Sequence, residues 1–453
     1  MSNILHSTEN NIKPALTIPG DFGLPLIGNT IELLSREQLF YLKQYQRYHS
    51  LFKYKSLGTN YVCLFEPQAN QFVLQTHPEK FSSYIGWQMV ESFAGEGILL
   101  QDGEEHLRVR KLLAPAFVGS AITSYFNLVQ DTIETFLDSW GNYPSIAASG
   151  KLRQFTLKLI CSLTFGGVDL QDYKQLVTLF ASVVQGMSSF IRLDTPFTKF
   201  GRAMAARRHL ERFVHIQIRR RRQQGTHQRD ILGLLMDSTD ENGNGLSEQE
   251  VFTQTLHILF GGYSTSAITL LYILLEIKQH PEWQKILQEE LNQIAANRRL
   301  VLSDLKNLVQ MTYFLKEVQR LHPGVYFIPR GVVEDFEFSG YHIPAGWSIV
   351  LSPLLTHRLP EIWESPNHFD PLRFAPPREE DKKHPFAFIP FGAGAHRCMG
   401  YELAQMEMKL FLSTLIRYYD YKIIPEIVPQ DMVLQTTQML EQMKAEIMPK
   451  QKI

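Results

Sequence analysis

Between Ser247 and His280 the chain runs for 34 residues at a helical apolar period, with no proline until Pro281. Ser247-Glu248-Gln249-Glu250 fits a capping box at its start, and Pro281 stops it. At a rise of about 1.5 Å per residue this is a rod of roughly 50 Å, enough to cross a whole molecule. A chain holding such a rod must build its core around it. From about Glu104 to Lys316 the spacing is mostly helical, broken by Pro115, Pro144, Pro196, the Asp240 to Gly245 loop and Pro281. The rod has a weak middle: Gly261 and Gly262 precede Ser264, Thr265 and Ser266, which permits a kink or a groove where something flat can press.

Strand text is sparser. Residues 51–65 alternate around Gly58 like a hairpin, and after Arg320 short β-rich runs give way to a loop rich in proline and aromatics up to Pro390. The Pro/Gly-rich opening, residues 1–28, reads as a lead-in strap. No linker or internal repeat divides the 453 residues, which predicts one domain, mainly α with small β-sheets (α+β). Forty-five basic against 46 acidic side chains leave a formal charge of -1, so no global field favours nucleic acid. Three scattered cysteines, Cys63, Cys161 and Cys398, argue for a reducing compartment and against structural zinc. No apolar run approaches the ~20 residues of a spanning segment, so a cytoplasmic protein is expected, with peripheral membrane contact left open.

Chemistry concentrates in Phe391 to Gly400, FGAGAHRCMG, a glycine-loosened loop that delivers Cys398 where a helix begins at Tyr401. Helix-start N–H groups and the dipole favour a thiolate, hence a metal ligand or nucleophile; a lone cysteine is more often plain core. Glu317 and Arg320 stand three apart on one helical face, and Arg373 follows in Pro371-Leu372-Arg373-Phe374. In order and spacing these segments resemble the haem-ligand loop, the E-x-x-R pair and the third-member arginine of the cytochromes P-450, and the likeness extends over nearly the whole chain.

The resemblance implies the cytochrome P-450 fold, with the 247–280 helix over haem b (iron protoporphyrin IX) and Cys398 as axial ligand. It implies that Phe391, Gly394, Gly400 and Gly261 lie against the cofactor, and that Glu317, Arg320 and Arg373 form a buried structural lock. His106 and Arg110, at i and i+4, with Arg330 and His396, are implied as partners of the two propionates. The family's usual A/G-G-x-D/E-T-T/S departs here to Gly261-Gly262-Tyr263-Ser264-Thr265-Ser266, so the acid is missing. Thr265 and Ser264 remain as catalytic hydroxyls, but Ser264 relays protons and cannot be their source at neutral pH. His257 shares a helix face with Gly261 and Thr265 and is a candidate relay or substrate-carboxylate partner, weighed against a histidine on the pocket rim.

Two motifs are decoys. Asp240 to Gly245 begins like a calcium loop, but Val251 stands at its twelfth position, so a turn is expected; Arg219 to Arg222 is expected to be a solvated helix face. The resemblance implies a pocket touching Trp87, Phe93, His257, Gly261, Thr265 and Val325, and an electron-donor face using Arg108, Lys111 and Arg397. The strap IPGDFGLPLIG is similar to that of the retinoid- and sterol-hydroxylating branch. The implied function is a monooxygenase that hydroxylates a lipophilic small molecule (retinoid, terpenoid or fatty acid) with dioxygen and a separate ferredoxin or flavoprotein, a monomer being the default. The alternatives are a peroxide-driven or isomerase-type haem-thiolate enzyme and a non-catalytic haem sensor.

Overall fold

The computed structural model describes residues 17–140, 146–187, 189, 192–225, 229–424 and 443–450. The first sixteen residues of the strap, and residues 188, 190 and 191, lie outside that set. The first third carries α1 (Thr30–Tyr48), α2 (Pro67–Gln71), α3 (Ser83–Ala94), α4 (Gly103–Leu113) and α5 (Ser120–Trp140). Then come α6 (Ala148–Phe165), α7 (Leu170–Met187), α8 (Lys199–Gln224), α9 (Ile231–Asp237), α10 (Glu248–Gln279) and α11 (Pro281–Ala295). The last are α12 (Val309–Leu321), α13 (Pro353–Thr356) and α14 (Tyr401–Tyr418).

Helix α10 is the expected rod, within a residue at each end. Ser247 caps it reciprocally with Glu250, and the helix continues unbroken through Gly261 and Gly262. It lies in the largest core cluster, where Leu256, Leu259, Leu270, Ile273 and Leu274 are buried. By length and composition alone α10 is apolar enough to cross a membrane, contrary to the expectation that no segment is; half of that apolar window is buried inside the fold. The glycine pair is asymmetric. A Cβ on Gly262 would sit 2.9 Å from Ile160 of α6, whereas one on Gly261 would meet nothing within 4 Å. So Gly262 lets α6 approach, and Gly261 leaves an open face at mid-rod.

β1 (Phe52–Ser56) and β2 (Thr59–Leu64) form the expected hairpin, turning through Leu57 and Gly58 at φ +48° and +84°. β3 (Phe81–Ser82), β5 (Ile328–Val332) and β8 (Ser348–Leu351) complete a five-stranded sheet ordered β1-β2-β8-β5-β3, in which β2 and β8 run parallel. β4 (Ile146–Ala147), β9 (Tyr419–Ile424) and β10 (Lys444–Pro449) make a second sheet, and β6 (Phe336–Phe338) pairs with β7 (Tyr341–Ile343).

Candidate active site

Cys398 is set by the loop before α14. Its N–H donates to Phe391 O at 2.9 Å, and Gly394, at φ +66°, fits because it carries no Cβ, which would fall 1.9 Å from Leu74 O. Phe391 braces the loop against Tyr401, ring centroids 5.0 Å apart. The residue itself is exposed. Burial by surrounding protein nonetheless pushes its thiol above the ordinary value, against the pull of the Gly400 N–H, Arg110 and Arg397. The local donors thus favour the thiolate, as expected, while burial opposes it. A cation bound to sulfur supplies what the local donors do not, because coordination deprotonates a thiol outright.

The structure brings His106, Arg110, Arg330 and His396 together. The imidazoles of His106 and His396 stack with centroids 3.8 Å apart, and His106 Nε2 is buried without a partner. His106 is pushed down to about 4, first by burial and then by Arg110; His396 falls to about 2, by burial and then by Arg330, His106 and Arg110. Arg330 is driven down to about 10 by burial, its guanidinium donating to Pro329 O. The nearby carboxylate, Asp102, is engaged by Ser82 Oγ and the N–H groups of Ser83 and Tyr84. Four crowded basic groups beside a sulfur ligand, with an orphaned imidazole nitrogen among them, match the chemistry of an iron porphyrin bearing two carboxylates. Haem b fits the residues present.

On α10, the Thr265 hydroxyl donates back to Gly261 O, which leaves its lone pairs as acceptors. Gly324 lies against this turn, a Cβ there falling 3.5 Å from Thr265 O and 3.1 Å from Thr269 Oγ1, so Val325 is next to it in sequence. One residue on, Ser266 Oγ donates to Glu407 Oε2 at 2.8 Å. Glu407, on α14, is pushed up to about 7 by burial, with Ser266 pulling the other way. Sequence reasoning missed this carboxyl. It lies nine residues after Cys398 on a helix read only for its beginning.

His257 bonds to the loop before α4. Its Nε2 lies 3.0 Å from Gly97 N and 2.9 Å from Gly95 O, and burial drives it down to about 4. A Cβ at Gly97 would fall 2.2 Å from the ring. The neutral imidazole thus anchors the 95–97 loop to α10. Phe93 is fully buried against Phe200, with no open face to a pocket. Trp87 packs on Phe327, ring centroids 5.5 Å apart.

The lock is tighter than a triad. Arg320 makes a bidentate pair with Glu317 at 2.7 and 2.8 Å, Arg373 Nε reaches Glu317 Oε1 at 3.1 Å, and all three are fully buried. A fourth member, Glu380, accepts from Arg373 Nη1 at 2.7 Å. Arg320 also donates to His357 O and Pro366 O, so the pair fixes loops as well as charges. The arginine run is not all solvated: Arg221 is buried in a bidentate pair with Asp230, and Arg222 pairs with Glu248. Arg108 is held by Glu105 and Glu250, which leaves Lys111 and Arg397 of the expected basic face. Asp240 folds its own loop through Asn242 N and Asn244 N, the expected turn.

A family model for Cytochrome P450 matches residues 18–448. "Putative cytochrome P450 120" of Synechocystis sp. is 31% identical over 419 residues, which cover 92% of this chain and 94% of that protein. "Abscisic acid 8'-hydroxylase 4" of Arabidopsis thaliana is 28% identical over 414 residues, covering 89% and 86%. A solved structure titled "Retinoic acid bound cyanobacterial CYP120A1" aligns with a TM-score of 0.86 at 29% identity, covering 96% of this chain and all of that one. The heme domain of cytochrome P450DA, 19% identical with a TM-score of 0.85, shows the fold alone.

Proposed function

The chain belongs to the cytochrome P450 family, and from that premise we propose that it hydroxylates a lipophilic isoprenoid or fatty acid, drawing electrons from a separate ferredoxin or flavoprotein. It is a haem b monooxygenase. In this reading the whole chain acts as one domain.

Bound haem b supplies oxygen activation at its iron. Cys398 would hold its iron through sulfur, and His106, Arg110, Arg330 and His396 would hold its propionates. The open face left by Gly261 makes room beside α10. Thr265, its proton given to Gly261 O, accepts from water and so positions a proton donor at that face. Ser264 passes protons on without supplying them, whereas Glu407, titrating at about 7, holds one near neutral pH beside Ser266. Trp87, Phe327 and Val325 favour an apolar substrate body.

The observation that carries the substrate class is the likeness to a retinoic acid bound relative over 96% of the chain. Relatives named for abscisic acid and taxane hydroxylation agree with an isoprenoid. Titration of the ferric holoprotein with all-trans retinoic acid tests it. A saturable low-spin to high-spin change of the Soret band supports the reading; no change up to the solubility limit, with haem intact, overturns it for retinoid acids. Ser264 motivates a second reading, a peroxide-driven enzyme, which turnover with hydrogen peroxide but not with dioxygen and reductant would select.

A further inference from the structure

Residues 324–328 link two parts of the site. At one end a Cβ on Gly324 would fall 3.5 Å from Thr265 O, and at the other Ile328 Cδ1 lies 4.0 Å from where Gly392, in the Cys398 loop, would carry its Cβ. The segment thus runs from α10 to the cysteine loop. Between those ends two side chains leave it in different directions: Phe327 packs on Trp87 of α3, ring centroids 5.5 Å apart, and the Tyr326 hydroxyl donates to Glu37 Oε2 of α1 at 2.5 Å. That bond spans 289 positions of sequence.

The carboxyl is held in place by its own helix. One residue on, Gln38 hydrogen-bonds Tyr272 of α10, whose ring stacks on His322 at a centroid distance of 4.0 Å, and one turn on, the Tyr41 hydroxyl meets that of Tyr54 in β1 at 3.0 Å. So α1 is anchored to α10 and to β1 around Glu37, and the bond to Tyr326 carries that anchorage to the 324–328 segment. Stability is a poor reason for a carboxyl here. Burial pushes Glu37 up to about 7, with the Tyr326 hydroxyl pulling the other way, a penalty that an apolar side chain would avoid.

We propose that Glu37, although it stands on the first helix, is a positioning residue for the substrate pocket: by holding Tyr326 it sets where Phe327 and Trp87 stand, and so which apolar bodies fit. This rests on the reading that Trp87, Phe327 and Val325 face the substrate. The Tyr326 ring lies 5.3 Å from that of Phe327, so losing the acceptor at Glu37 releases the two rings together. A ligand too small to reach that wall is indifferent to the change.

Imidazole and 1-dodecylimidazole, titrated into the ferric holoprotein and read from the Soret band, test this without reference to the natural substrate. Both bind iron, but only the second carries an apolar tail to meet the pocket wall. Expected is that Glu37→Leu and Tyr326→Phe each weaken the tailed ligand about fivefold or more relative to imidazole, and that the double variant is no weaker than either. Glu37→Gln, whose amide oxygen still accepts from Tyr326, should stay within about twofold of the parent. Equal weakening of both ligands, losses that add in the double variant, a Glu37→Gln as weak as Glu37→Leu, or lower melting temperatures with an unchanged affinity ratio would overturn the proposal. Failure of retinoic acid to shift the parent's Soret band would instead overturn the retinoid reading and leave this test in force.

Discussion

Ser266 Oγ and Glu407 Oε2, 2.8 Å apart, join the turn after Thr265 to a buried carboxyl whose other oxygen has no partner. Burial raises this carboxyl from 4.5 to about 7, so the folded protein binds a proton there that the unfolded chain releases. The associated stability is fully present below 4.5 and is lost as pH rises through about 7. Glu407→Gln, neutral at every pH, should be more stable than the parent by about 3 kcal/mol at pH 8 and nearly equal to it at pH 4.5. Urea unfolding at the two pH values checks the sign. Hydroxylation by the variant should also lose its limb near neutral pH, measured as rate against pH.

The two glycines of α10 should respond oppositely. Gly261→Ala meets no protein atom within 4 Å and gains helix propensity, so thermal stability should hold or rise by about 0.5–1 kcal/mol while affinity for a bulky substrate falls. Gly262→Ala collides with Ile160 and should cost about 1–3 kcal/mol, recovered in part by Ile160→Val. Equal loss of stability in both would refute the assignment of faces.

Removing Glu317 leaves two fully buried guanidiniums short of a counter-charge. Glu317→Gln should therefore cost about 3–5 kcal/mol, whereas Glu380→Gln, which leaves Arg373 paired with Glu317, should cost less. The ranking is read from urea midpoints and from the yield of folded holoprotein.

Gly97→Ala places a methyl group against the His257 ring and should destabilise the 95–98 loop by about 1–3 kcal/mol. In a double-mutant cycle with His257→Ser the two losses should be strongly non-additive, because the smaller side chain removes the clash. Additive losses in thermal denaturation would show that the contact does not govern the loop.

Features of local spacing were legible in the sequence. The capped rod, the 51–65 hairpin, the FGAGAHRCMG loop and the Glu317–Arg320 pair each declare themselves within a few residues. Partners distant in sequence did not. Ser266 and Glu407 are 141 positions apart, and Glu380 reaches the lock only because the 353–383 loop folds back over α12. His257 shows the limit of periodicity: it gives the face of a helix, not that Gly97 will lie flat on the ring. Arg221 shows the same for charge, since only the fold brings Asp230 to it.

The parallel pairing of β2 with β8 sets a timetable for synthesis. Tyr61 leaves the ribosome with a free hairpin edge, and its register partner Ser348 follows 287 residues later (348 minus 61). At roughly 5–20 residues per second that interval is about 15–60 s, during which residues 61–64 offer unpaired backbone to any passing strand. A nascent chain stalled before residue 348 should therefore be a preferred client of ribosome-associated chaperones, and one stalled after residue 351 a poorer one.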